Sequence, residues 1–153
     1  MEDPPQGSPR FVDDYLLSLL ARASHAVSSE FHDRLRTRGV SVPVWRVLAT
    51  LSGGAETVSA LAEACLLQQP TMTKVLDRMQ RDGLVSRQQD GRDRRLVRVH
   101  LAPKGAAMVG DLLAAARAHE AEIVARHPEA ATMKNLLRAL ILRQGRRSRP
   151  RGG

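Results

Sequence analysis

The chain of 153 residues contains one cysteine, Cys65. A single thiol can neither close an intrachain disulfide nor build a cysteine-based zinc site, so a reducing cytoplasm is the expected setting. Aromatic residues are nearly as scarce. Phe11, Tyr15, Phe31 and Trp45 all precede residue 46, far from the basic segments. Single-strand and RNA binders interleave stacking rings with basic residues, and that pattern is missing. Nowhere do eighteen apolar residues follow one another, which excludes a bilayer-spanning helix. The opening MEDPPQGSPR is polar and proline-rich, without the basic and apolar regions of a signal peptide. No G-x-S-x-G elbow or phosphate-binding loop is present, and no carboxylate pair falls in an identifiable cleft. Ser24 and His25 are helix neighbours that point apart, and His25 and His32 stand two turns apart without further metal-ligand spacing. Neither an enzyme nor a metal or cofactor site is expected.

What the chain has in excess is positive charge, +8 overall, and it is unevenly distributed. Residues 1–65 hold 6 basic and 8 acidic groups, residues 66–104 hold 9 and 4, residues 105–142 hold 4 of each, and residues 143–153 hold 5 and none. The first basic block is mixed with Val, Leu and Met at regular spacing and reads as folded. The second has no apolar residue after Leu142 and reads as a disordered basic tail over 143–153, matching a polar tail over 1–10.

Hydrophobic spacing lays out a mainly α chain. Apolar residues from Val12 to Leu35 recur at three- and four-residue steps and predict one long helix to about Arg36, with Gly39 as a left-handed cap. Ser41 and Pro43 open a second helix, with Val47, Leu48 and Leu51 inward, and Ser52-Gly53-Gly54 stops it. Thr57 starts a third, short one. Pro70 lies in the first turn of a fourth, whose inner residues are Met72, Val75, Leu76 and Met79 and whose end is Gly83. The period then changes. Residues 84–87 and 96–101 predict two strands joined by the loop Gln89-Asp90-Gly91-Arg92-Asp93. Pro103 opens an alanine-rich fifth helix to about Arg126, and Pro128 a sixth to about Leu142.

Helix, turn, helix and basic two-stranded ribbon make a winged helix-turn-helix over about 41–101. A recognition helix needs an apolar face for anchoring and a short polar face for base edges, and residues 70–82 supply both. The side chains expected at DNA are Gln69, Thr71, Thr73, Lys74 and Arg78 on the helix, and Arg92, Arg94 and Arg95 on the wing. Glutamines at the helix start suit adenine edges, and the wing arginines suit phosphates or a narrow minor groove. The long first helix and the last two helices, about 11–38 and 103–142, carry more apolar stripe than a winged unit of ~65 residues covers, which predicts a partner surface.

These residues resemble the MarR family of transcription regulators. The resemblance lies in Ser41-Val-Pro-Val-Trp45-Arg-Val-Leu48, Leu61-Ala-Glu63, Thr71-Met-Thr-Lys-Val-Leu-Asp-Arg78, Gly83-Leu84-Val85, Asp93-Arg94-Arg95, Val99-His-Leu101 and Gly105. It implies a homodimer joined through its terminal helices, each winged unit reading half of a double-stranded pseudo-palindrome, and a cleft for a small aromatic or anionic effector. Carried over by position, Asp93 would pair with Arg95 to brace the wing. His32 and Trp45 are the candidates for lining the cleft. The chain departs from the pattern at Leu66, where Gly is common, at Gln68 and Gln69, where a Ser or Asp cap is usual, and at Ala102, where Thr caps the fifth helix. Cys65 falls on an apolar helix position and reads as a small buried hydrophobe rather than a redox sensor. The function expected is a sequence-specific repressor, against a protein-interaction module or a weakly specific DNA coater.

Overall fold

The computed structural model describes residues 10–148, so residues 1–9 and 149–153 of the two expected tails fall outside it. The described chain divides into two units that meet inside one helix, the first running to Leu113 and the second starting at Ala114.

The first unit opens with α1 (Phe11–Asp14) and α2 (Leu16–Thr37). The single helix expected there is interrupted at Tyr15, whose backbone is extended (φ −76°, ψ 120°) while its ring stacks on Phe11 at a 4.8 Å centroid distance. Arg10 and Arg22 both donate to the Asp13 carboxylate beside this break. α2 buries only Phe31 and Leu35. It ends in a Schellman cap: Val40 N–H donates to the Leu35 carbonyl and Gly39 N–H to that of Arg36, both at 3.0 Å, with Gly39 left-handed at φ 69°.

α3 (Val42–Leu51) turns Val47, Leu48 and Leu51 inward, as its spacing predicts. Ser41 takes the cap position but its hydroxyl makes no capping bond. β1 (Glu56–Thr57) follows, and Thr57 Oγ1 accepts from Ala60 N–H at 3.2 Å to start α4 (Val58–Cys65). A short turn leads to α5 (Gln69–Arg81), which buries Met72, Leu76 and Met79 and exposes its other side. β2 (Val85–Gln89) and β3 (Val97–Leu101) form the expected ribbon, with Arg87 opposite Val99 and Gln89 opposite Val97. The sheet has a third strand that the ribbon reading lacks: β1 pairs antiparallel with β3, Glu56 opposite Val99, giving the order β1-β3-β2. Two residues are too few for any alternation to show in sequence.

α6 (Pro103–Arg126) begins against the base of the ribbon. Ala102 N–H donates to the Leu84 carbonyl at 3.0 Å, and a Cβ placed on Gly105 would sit 2.1 Å from that same oxygen. Gly105 is therefore set by close backbone approach, with no positive φ required of it. Val109 and Leu112, further along α6, are buried in the first unit.

The second unit holds the end of α6 and α7 (Ala130–Ser148), joined by a 2.6 Å bond from Lys134 Nζ to Glu120 Oε1. α7 starts two residues after Pro128 and continues six residues past Leu142, through part of the expected tail. Arg and Gln are good helix formers, and extending an existing helix avoids the nucleation cost that defeats an isolated basic peptide.

The turn between α4 and α5 repeats the Schellman geometry with the wrong residue in it. Leu67 N–H donates to the Ala62 carbonyl and Leu66 N–H to that of Glu63, placing Leu66 where Gly39 and Gly83 stand in the caps of α2 and α5. Leu66 is left-handed at φ 58° and 81% exposed, so it is strained without gaining burial. Two substitutions should consequently move stability in opposite directions. Leu66→Gly should raise it by about 1 kcal/mol, the left-handed strain relieved less the added chain entropy. Gly105→Ala should lower it by about 2 kcal/mol despite better helix propensity, because backbone must move away from the new methyl. Urea unfolding at one fixed protein concentration measures both.

Candidate nucleic-acid interface

The outer face of α5 and the tip of the ribbon collect the cations of the 66–104 block. On α5, Thr71, Lys74 and Arg78 lie three and four residues apart and are all exposed, so they share one face. Among the described residues, neither Thr71 nor Lys74 has a side-chain hydrogen bond or ion pair, while Arg78 reaches Asp82 at 3.8 Å. Thr73 is also exposed, but its hydroxyl donates back to the Gln69 carbonyl at 3.0 Å, and the helix on its side is engaged by β2. Gln69 stands in the first turn, exposed, with its Nε2 donating to the Ser59 hydroxyl on α4. No side chain caps α5, since Gln68 occupies the cap position without a capping bond.

The ribbon tip is held by a carboxylate that sequence reading did not single out. Asp90 Oδ1 accepts from the backbone N–H groups of Arg92 at 2.7 Å and Asp93 at 3.1 Å, and its other oxygen accepts from Arg98 Nε on β3. Arg98 and the two amides hold the Asp90 carboxyl down to about 2 from an ordinary value of 3.8. Asp93, expected to pair with the Arg95 side chain, instead accepts from the Arg95 backbone N–H at 3.0 Å. The brace is thus three residues earlier in the loop, and Asp93 makes a second, local turn. The effect is that the guanidinium groups of Arg92, Arg94 and Arg95 are exposed and, among the described residues, have no carboxylate partner. An acidic residue opening a tight loop ahead of Gly91 is the sequence signal that marks Asp90, because Asp side chains close such turns on the following amides.

Arg87 is the second residue that sequence reading missed. From β2 it donates to the Asp77 carboxylate at 2.7 Å, to Gln80 Oε1 at 3.4 Å and to the Thr73 carbonyl at 3.3 Å, all on α5. It therefore joins the ribbon to the recognition helix. At the helix end, Lys104 Nζ donates to the Asp82 carbonyl at 3.0 Å, satisfying an acceptor the helix itself cannot.

His32 and Trp45 were expected to line a ligand cleft. The first unit does contain a cleft of about 350 Å³, but Arg38, Val44, Val75, Arg78, Lys104 and Met108 are among its lining residues, and neither His32 nor Trp45 is. Trp45 is taken up in packing, edge-on to Phe31 with ring centroids 5.3 Å apart, and His32 is half-buried on α2. Burial, with Arg46 and His25 nearby, pushes the His32 pKa down. Cys65 is fully buried, and burial pushes its thiol pKa up against the opposing effects of Thr50 and Arg46. Among the described residues no group of three His, Cys, Asp or Glu side chains is placed to hold a metal, and no helix is long and apolar enough to cross a membrane.

The wing brace has a pH signature. Because Asp90 titrates lower in the folded protein than in the unfolded chain, its contribution is complete above pH 4 and disappears as the pH falls through about 2. The amides of Arg92 and Asp93 should keep their hydrogen-exchange protection at pH 4 and lose it toward pH 2. Asp90→Ala, which removes the acceptor oxygen, should lose that protection at neutral pH while leaving α5 protected.

Comparison with known proteins places this geometry. A sequence profile described as MarR family matches residues 38–96, which span the winged elements. The crystal structure of a MarR family transcriptional regulator from Silicibacter pomeroyi DSS-3 is 42% identical, with a TM-score of 0.79 over 86% of this chain and 96% of that one. The homoprotocatechuate degradative operon repressor of Escherichia coli is 30% identical over 99 residues, covering 63% of this chain and 66% of its own length. An uncharacterised HTH-type transcriptional regulator of Bacillus subtilis is 38% identical over 60 residues, 41% of its length. The chain thus spans less than two thirds of these two curated relatives. The crystallised relative is matched over nearly its whole length, and its family is one of regulators rather than enzymes. On these grounds the chain belongs to the MarR family of transcriptional regulators.

Proposed function

We propose that the protein is a homodimeric repressor that binds a double-stranded pseudo-palindrome, with α5 in the major groove and the ribbon tip on the adjacent minor groove or phosphates. One observation carries this reading: the backbone of the tip is fixed by Asp90 while Arg92, Arg94 and Arg95 keep exposed guanidinium groups that have no carboxylate partner among the described residues. A charge cluster serving only solubility has no need of a fixed presentation, whereas phosphate and minor-groove contacts do. Thr71, Lys74 and Arg78 form an exposed polar face of the length that fits a groove. The repressor assignment draws on the curated relatives that are operon or transcriptional repressors.

Self-association is supported separately by each unit. In the first, Phe11, Leu16 and Leu17 are 75%, 58% and 59% exposed. In the second, Leu136 and Ile141 on α7 are 67% and 68% exposed, and Met133, Leu137 and Leu140 fall on the same stripe. Apolar rows of this extent favour a partner surface, and a second copy of the chain meets both. The cleft bordered by Arg38, Arg78, Asp82 and Lys104 suits a small anionic effector chiefly through Arg38, since Arg78 and Lys104 already engage Asp82, with Val44, Val75 and Met108 supplying apolar contact. Since Arg78 belongs to both cleft and outer helix face, a ligand there would alter the DNA-facing surface directly.

Selection from a random duplex pool tests the DNA reading. An enriched motif with two half-sites about one helical turn apart is expected, and no enrichment would leave only the coater or protein-module alternatives. On the selected duplex, Arg94→Ala should weaken binding by about tenfold, and Lys74→Ala should reduce the slope of log affinity against log salt by about 1. Sedimentation at micromolar concentration should give a dimer, and a monomer would contradict the account of the exposed helices.

A further inference from the structure

The hydrogen bond between Gln69 and Ser59 crosses from the first turn of the recognition helix to the helix before it. Both residues are exposed, so burial does not explain the contact. Gln69 lies beside the strained turn at Leu66, and no side chain caps the helix there. The Gln69 carboxamide has two N–H donors and one oxygen acceptor. Ser59 takes one N–H. Among the described residues no further bond is made by the second N–H or by Oε1, and an amide that engages Ser59 through the N–H remote from its oxygen keeps the donor and acceptor pair that complements adenine in the major groove. Adenine N6–H donates to such an oxygen and adenine N7 accepts from such an N–H.

We propose that Gln69 is the specificity-determining residue for one adenine in each half-site, and that Ser59 positions it by holding its amide with the reading edge outward. The proposal rests on the DNA-binding reading above and deepens it by naming the base. A glutamine on a flexible side chain otherwise divides its time among rotamers, and the hydroxyl of Ser59 removes part of that freedom before DNA arrives. Thr71 and Lys74, which have no such anchor, take the remaining polar contacts of the helix. Ser59 does not itself touch the base and is a positioning residue.

The test compares pool-selected motifs of the full-length wild type and its variants, with circular dichroism confirming that each is folded. Wild type should require adenine at one position per half-site. Gln69→Ala should lose about tenfold discrimination at that position alone. Gln69→Glu should move the preference there to cytosine, whose N4 amino group donates to a carboxylate. Ser59→Ala should relax the same position severalfold without changing the others, and Ser59→Thr, which keeps the hydroxyl, should restore it. An adenine preference that survives Gln69→Ala, or that is untouched by Ser59→Ala, overturns the assignment while the DNA reading stands. A wild type that enriches no motif removes the DNA reading and this proposal with it.

Discussion

The carbonyl of Leu84 is the point from which the winged unit is built. Leu84 N–H closes the cap of α5 on the Met79 carbonyl, its own carbonyl accepts from Ala102 at the end of β3, and α6 passes so close that only glycine fits at position 105. Recognition helix, ribbon and the following helix are thereby referred to one buried backbone group. An unsatisfied carbonyl at that depth would be costly, so these elements cannot drift apart independently. Arg87 adds a second link three residues on, where its guanidinium holds the ribbon against α5 through Asp77 and the Thr73 carbonyl. The chemistry at the ends of the two elements, an uncapped helix start and an arginine-bearing loop, depends on this rigid base.

The charge of the first basic block divides along the same lines. Arg87 and Arg98 face carboxylates and serve the framework, whereas Lys74, Arg92, Arg94 and Arg95 are exposed and have no carboxylate partner among the described residues. Net charge alone therefore overstates what is available to a ligand. A cation that already satisfies Asp77 or Asp90 adds little to an anionic partner, and its loss would be felt as disorder before it was felt as lost attraction. Asp90 shows the division at its sharpest: one carboxylate organises two backbone amides and one arginine so that three other arginines stay exposed.

The helices were legible because their spacing is regular and their punctuation strong. Gly39 and Gly83 stand at left-handed caps where the residue type alone requires a stop, and Thr57 caps α4 through its side chain. The winged order followed from the change of period after Gly83. The parts that sequence did not reveal are those decided by contacts across the chain. The break at Tyr15 comes with a ring stacking back on Phe11, β1 is a two-residue strand defined only by its partner, and the continuation of α7 to Ser148 extends the helix already formed before it. The wing brace was placed at Asp93 by family position, whereas the loop geometry gives that role to Asp90. His32 and Trp45 carried suitable chemistry for a ligand but lie outside the cleft lining, because a residue's type says nothing about which elements surround it.

The central claim is that the exposed cations of α5 and the ribbon tip meet a duplex in two different grooves. Methylation interference on a bound duplex tests it most directly, since N7 of guanine lies in the major groove and N3 of adenine in the minor groove. The account predicts interference from N7 methylation within each half-site and from N3 methylation in the flanking segment, the two patterns repeating about one helical turn apart. Interference from phosphate ethylation alone, with both grooves indifferent to methylation, would contradict it.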